Sequence, residues 1–204
     1  MNAPLAITTH HKIAKVIRTE IISGLIKPGT EIDEQQLAKK FGVSSAPVRD
    51  AIFQLNIEGV IECKKNTPPT VAPLISEDLR QLLLTLMQKI EIQAISSQIN
   101  KARQADIDSL SIIFGCIKLH YKHNQLVDTA EAMIDFHKYL VDMEGGDELV
   151  NVWHPIVMRL VMNTDYTNIN PEHFDYYKAI IEALTNQDEL AALKALPKSL
   201  GFLS

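Results

Sequence analysis

Apolar residues recur at three- and four-residue spacing from near the start of the chain. Ile13, Val16, Ile17, Ile21 and Ile22 share one face of a helix predicted over His11–Ser23. Gly24 and the turn Lys27-Pro28-Gly29 end it. Glu31-Ile32-Asp33 leads into a second helix, Glu34–Phe41, stopped by Gly42. Ser44 is expected to cap a third, Ala46–Glu58, with Pro47 in its first turn and Gly59 as its stop. Val60–Cys63 and Thr70–Ala72 then read as two short strands around the polar loop Lys64–Pro69, a small ribbon or wing.

Past Pro73 the helical period takes over. Ser76–Ile99 carries Leu79, Leu82, Leu83, Leu86 and Ile90 on one face. Ala105–His123, Asp128–Glu144, Glu148–Thr164, Pro171–Asn186 and Asp188–Pro197 follow with short links, the pattern of an antiparallel bundle. The expected architecture is mainly α: an N-terminal winged helix-turn-helix over residues 7–73, then an all-α domain over residues 76–204.

Composition narrows the function class. At 204 residues, 46% hydrophobic and 22% charged, the chain can bury an ordinary core. Two cysteines, Cys63 and Cys116, are too few for a disulfide framework. No leader pattern opens the sequence, and the apolar stretch Leu82–Met87 is far short of the ~20 residues of a membrane span. A cytoplasmic protein without membrane partners is the expectation. The net charge of −5 hides an asymmetry: residues 1–75 sum to +2 and the remainder to −7. Only the head is suited to meet phosphate.

The most informative segment is Leu37–Ile52. Leu37 and Ala38 are apolar, and Ala38 is small enough for a second helix to cross closely. Gly42 permits a tight turn, Val43 plugs the space between helices, and Val48, Ile52 and Leu55 form a buried face. Ser45, Ala46 and Arg49 are left outside on the N-terminal part of the third helix, where such motifs meet base edges in the major groove. Arg49 can reach guanine O6 and N7 or a phosphate. With Ser44, these residues form the expected DNA contact, joined by Lys39 at the end of the second helix and by Lys64, Lys65 and Asn66 in the wing. Lys39 and Lys40 also favour the dipole of their own helix.

The pattern Ile22-x-Gly24-x-x-x-Pro28-Gly29, Leu37-Ala38, Gly42-Val43-Ser44, Pro47-Val48-Arg49, Ala51, Leu55 and Glu58-Gly59 resembles the winged-helix domain of GntR-family bacterial transcriptional regulators. The helical remainder resembles the ligand-sensing FCD-type domain of the FadR-like subgroup, through Phe136-His137-x-x-Leu140, Gly146-Asp147-x-x-Val150 and Ile180–Leu184 followed by Asp188. The resemblance implies a transcriptional regulator, a repressor by expectation. It would bind a pseudo-palindromic DNA operator as a homodimer and answer to a small-molecule effector.

The chain departs from that family pattern in both halves. Ser45 stands where an Arg usual in the family would follow Gly-Val-Ser, and Thr67-Pro68 replaces an Arg-Gly wing tip. Many FadR-like members hold a divalent metal through an Asp, the His four residues later and two further histidines. Here His137 matches the first His, but the other positions fall at Met133, Tyr177 and Ser199, and an Arg common on the first sensing helix falls at Met87. Thioether, phenol and hydroxyl are poor partners for a first-row divalent ion. The expectation is a metal-free effector pocket lined by Met87, Met133, His137, Tyr177 and Ser199, with no cofactor. His137 could instead be a core histidine bonded to an acid such as Asp135, and His173 could enter the pocket from one turn before Tyr177. A metal-sensing regulator, or a small metal-dependent helical enzyme, are the competing readings.

The remaining candidates read as structural. His120-x-x-His123 is a helix-end pair, Trp153, Met158 and Met162 are core or dimer packing, Cys116 is buried filler, and Asp106-x-Asp108 complements a helix dipole. Nucleophile elbows, phosphate loops and zinc-protease motifs are not present.

Overall fold

The computed structural model describes residues 8–164 and 169–203. Ile7 and Ser204, where the two expected domains begin and end, lie outside the described residues. The chain divides into two compact units, Met1–Leu74 and Ile75–Ser204.

In the head, α1 (Thr9–Ile22), α2 (Glu34–Phe41) and α3 (Ser45–Ile57) precede β1 (Ile61–Glu62) and β2 (Thr70–Val71). The strands are antiparallel, with Ile61 opposite Val71 and Glu62 opposite Thr70. They are shorter than the alternating apolar residues suggested, because Cys63 gives its N–H to the Asn56 side chain (3.0 Å) rather than to the ladder. Glu31 bridges Thr70, so the segment before α2 adds a third, minimal edge to the wing. Ile13, Ala14, Ile17 and Ile21 of α1 pack with Val48, Ala51, Ile52 and Leu55 of α3 in the head's core. An ion pair fastens the same two helices: Arg18 Nε and Nη2 donate to the two carboxylate oxygens of Glu58 at 2.7 and 2.6 Å. Val16, expected on the buried face of α1, is 40% exposed.

The second unit contains α4 (Glu77–Gln98), α5 (Gln104–Lys122), α6 (Leu126–Val161), α7 (Phe174–Asn186) and α8 (Glu189–Ser199). Tight 3-10 turns at Pro171–His173 and Leu200–Leu203 flank α7 and α8. Helix α6 packs on both α4 and α5, α7 packs on α5, and α8 packs on α7 and α4, closing a ring around the core. Two helices were expected where α6 runs; the division exists as a break at Gly146, whose φ of 53° and ψ of −151° leave the helical region. That conformation is open to glycine at little cost and to few other residues. Asp106 closes a capping box at the start of α5, accepting from the backbone N–H of Arg103 at 2.9 Å.

Two expectations fail here. The buried face of α4 is Met87, Glu91, Ala94 and Ile95, whereas Leu79, Leu82 and Leu86 point outward, 42%, 54% and 41% exposed. Periodicity reports that a helix has an apolar stripe; it does not say which of two stripes the bundle buries. Cys116 is exposed on α5, as are Ile112 and Leu119, and is not core filler.

Candidate nucleic-acid interface and candidate effector site

The helix-turn-helix is built from its caps. Asp33 Oδ1 accepts from Gln35 and Gln36 N–H at 2.8 and 3.0 Å, starting α2. Gly42, at φ 64°, ends it in the left-handed region and lets Val43 N–H return to Ala38 O at 3.1 Å. Ser44 occupies the N-cap position of α3, but its side chain makes no capping bond among the described residues. Its hydroxyl is thereby left for another partner.

With Val48, Ala51, Ile52 and Leu55 facing the core, α3 turns its other side to solvent. Ser44 and Ala46 are exposed, Ser45 is half-buried, and the Arg49 side chain is 64% exposed. Farther along the helix, Phe53 and Ile57 are exposed as well, so the outer face becomes apolar toward its end. Lys39 is exposed on the last turn of α2, and Lys64, Lys65 and Asn66 are exposed on the wing. The head also brings carboxylates to several cations. Glu34 Oε2 lies 3.9 Å from Arg49 Nε, Glu62 Oε2 lies 2.8 Å from Lys64 Nζ, and Glu20 Oε1 lies 2.5 Å from Lys40 Nζ.

In the bundle, the five residues expected around the effector come from four helices and are all buried: Met87 (α4), Met133 and His137 (α6), Tyr177 (α7) and Ser199 (α8). A sixth residue organises the polar ones. Glu91, one turn after Met87 and fully buried, receives His137 Nδ1 at 2.8 Å on one carboxylate oxygen and Trp153 Nε1 at 2.8 Å on the other. His137 and Trp153 lie on opposite sides of the Gly146 break, so one carboxylate ties both halves of α6 to α4. Ser199 donates its hydroxyl to Leu196 O at 2.7 Å, and its oxygen lies 3.4 Å from His137 Nε2. Tyr177 donates to Ser199 O at 3.0 Å. Burial, and then the charge of Glu91, push the Tyr177 phenol well up, so it acts as a neutral donor.

The acid that meets His137 is therefore Glu91, and Asp135 is exposed. Glu91 was legible as a charged residue inside an apolar stripe, with Met87, Ala94 and Ile95 around it, and sequence reasoning passed over it. Trp153 is core packing as expected, with a hydrogen bond that spacing could not reveal. His173 packs its ring on Gly201, where a β-carbon would lie 2.7 Å from Nε2. His120 bonds Gln125 at the helix end, 3.0 Å away. Among the described residues no three of His, Cys, Asp and Glu converge as metal ligands. One imidazole and one carboxylate, already bonded to each other, do not fit the divalent metal that the family pattern implies.

A small winged helix-turn-helix carrying an arginine on its recognition helix, followed by a helical bundle with a buried polar cluster, defines a DNA-binding transcription regulator rather than an enzyme. The family comparisons agree: residues 9–71 match the family described as "Bacterial regulatory proteins, gntR family", and residues 82–200 match the FCD domain. The chain belongs to the GntR family of bacterial transcriptional regulators, in the group that carries an FCD domain.

Among its relatives, the uncharacterized HTH-type transcriptional regulator YdhC of Bacillus subtilis is 29% identical over 67% of this chain and 61% of its own length. The gluconate operon transcriptional repressor of Bacillus licheniformis is 22% identical over 93% of this chain and 81% of its own. Among solved structures, E. coli McbR/YncC has the same fold, with a TM-score of 0.79 at 16% identity over 96% of this chain and 95% of its own. No helix among the described residues is long and apolar enough to cross a membrane.

Proposed function

We propose that this regulator is a cytoplasmic repressor that binds a pseudo-palindromic operator as a homodimer and is released or retuned by a small metabolite in the bundle. The observation that carries the reading is the two-sided recognition helix. Val48, Ala51, Ile52 and Leu55 are buried on one side, while Ser44, Ala46 and Arg49 are exposed at its N-terminal end, in a head whose wing carries exposed lysines. That is the geometry of major-groove reading with phosphate contacts alongside. The repressor name of a relative spanning most of the chain supports the sign of regulation.

A head with a net charge of only +2 makes few phosphate contacts, so useful affinity calls for two heads on one duplex. The outward stripe Leu79, Leu82 and Leu86 on α4, spaced three and four apart, supports a helical dimer seam in the second unit. His137 bonded to Glu91, with Ser199 and Tyr177 linked to it in turn and Met87 and Met133 buried in the same unit, supports the effector site. A fixed carboxylate there favours a neutral or partly apolar metabolite over a dicarboxylate. Effector and operator would be linked by about 1–3 kcal/mol of coupling.

Selection from a random duplex library by the full-length protein should enrich an inverted repeat, and light scattering should give a dimer. Protein that enriches no sequence, or that stays monomeric on the duplex, sinks the reading. Metal analysis after dialysis separates the alternatives. One tightly held metal per subunit, lost in His137→Ala, would favour a metal sensor; metal-free protein whose effector response changes in His137→Ala favours the metabolite pocket.

A further inference from the structure

Glu34 stands where three parts of the head meet. It is the first residue of α2, placed by the Asp33 cap. Its carboxylate lies 3.9 Å from Arg49 Nε on the recognition helix. Its charge also reaches Cys63 at the base of the wing, whose thiol is pushed up by burial and secondarily by Glu34. The contact with Arg49 is too long for a hydrogen bond, and both side chains are well exposed, at 64% and 36%, so it contributes little to folding.

For DNA binding the same carboxylate matters more. It is a negative charge beside the arginine expected to touch the duplex, and it opposes the approach of phosphate. The wing repeats the arrangement, with Lys64 Nζ, on a side chain 73% exposed, only 2.8 Å from Glu62. Both cations therefore begin with a carboxylate partner and must exchange it for DNA.

Resting on the operator binding proposed above, we propose that Glu34 is a positioning residue that sets sequence specificity by holding the Nε edge of Arg49 and screening it from phosphate. On arbitrary DNA, Arg49 can exchange Glu34 only for a phosphate oxygen, and the exchange leaves the Glu34 carboxylate close to the phosphate charge. On the operator, the two terminal nitrogens of Arg49 meet guanine O6 and N7, neutral acceptors that Glu34 does not repel in the same way. The carboxylate thus taxes non-specific contact and leaves the specific one largely intact, so discrimination rises without added affinity.

The test uses full-length wild type, Glu34→Gln, Glu34→Asp, Arg49→Ala and the double variant Arg49→Ala/Glu34→Gln. Each is titrated, across a salt series, against the duplex enriched by wild type and a scrambled duplex of the same composition. Glu34→Gln should bind the scrambled duplex about 3–10-fold tighter, with a salt slope steeper by about one, and lose specificity by a similar factor. Glu34→Asp, which keeps the charge, should keep most of the specificity. In the Arg49→Ala background, Glu34→Gln should change the specificity ratio by less than about twofold, since no guanidinium remains to be held. An unchanged ratio in Glu34→Gln, an equal loss in the Arg49→Ala background, or an Asp variant as permissive as Gln would each overturn the inference. Wild type that enriches no sequence overturns operator recognition along with it; a selective wild type whose ratio Glu34→Gln leaves intact overturns this inference alone.

Discussion

Carboxylates on the surface of the head and in the core of the bundle work in opposite ways. In the head, Glu34 and Glu62 meet cations at the exposed surface, and each pair can open at little cost. In the bundle, Glu91 has no access to water, and both of its oxygens are committed, to His137 and to Trp153. A surface carboxylate tunes which partner a cation prefers. A buried one decides whether the surrounding helices pack at all, because any group it leaves unpaired remains in the core. The exposed face of the head is thus arranged for exchange of partners, while Glu91 in the bundle, like Glu58 inside the head, retains them.

The largest expected effect breaks the bundle's side of this contrast. Glu91→Ala leaves the His137 imidazole and the Trp153 N–H without their buried acceptor, which should cost about 3–5 kcal/mol. Trp153 is the only tryptophan in the chain, so urea unfolding followed by its fluorescence reports the bundle directly. A loss below about 1 kcal/mol would mean that the network can be satisfied otherwise.

Next comes the ion pair that fastens α1 to α3 in the head. Arg18→Ala leaves Glu58, only 6% exposed, without its cation and with Gln54 Nε2 (2.9 Å) still donating to it, and removes two charge-assisted hydrogen bonds between α1 and α3. A destabilisation of about 2–3 kcal/mol is expected. It should appear as DNA binding lost at lower urea while the Trp153 transition stays in place. A shift of the Trp153 transition instead would show that the units do not unfold separately.

Arg49→Ala sharpens the exchange side. It should weaken operator binding by about 1–3 kcal/mol and relax one base position per half-site, with no change in either unfolding transition. Lys64→Ala should weaken all duplexes alike and flatten the salt slope by about one. Equal loss on operator and scrambled duplex for Arg49→Ala would remove it from base reading.

The smallest effect is set by pH. The Arg103 side chain and backbone bonds hold the Asp106 carboxyl at about 2, below its ordinary value. A depressed folded-state value stabilises above the unfolded value near 4 and is lost as pH falls from there toward 2. Because Arg103 is 80% exposed, the contribution is about 1 kcal/mol or less. Asp106→Asn should flatten the acid limb of the bundle's stability by that amount and leave DNA binding at neutral pH unchanged.

Much of this was legible from spacing alone. Stops such as Gly42 and Gly59 act through their own backbone and immediate neighbours, so the turns of the helix-turn-helix could be read residue by residue, whereas the Asp33 cap emerged only from the structure. The outward position of Arg49 followed from the burial of Val48, Ile52 and Leu55 at helical period. The bundle was harder. Its helices were countable, yet the stripe Leu79, Leu82 and Leu86 competed with Met87, Glu91, Ala94 and Ile95 for the inside, and the leucines had the stronger apolar signal. The choice fell to how α4 meets α6 and α8.

The sequence by itself determined the element order, the winged helix-turn-helix, the family and the absence of a full set of metal-ligating side chains at the expected positions. Each of these depends on residue type at fixed local spacing. Only the tertiary structure decided that Glu91 is the partner of His137, that it also takes Trp153, and that Glu34 stands beside Arg49. Those pairs are separated by 46, 62 and 15 positions along the chain. No helical or strand period carries information across such gaps; they are closed by the packing of whole helices, which brings one side chain of each to the same point.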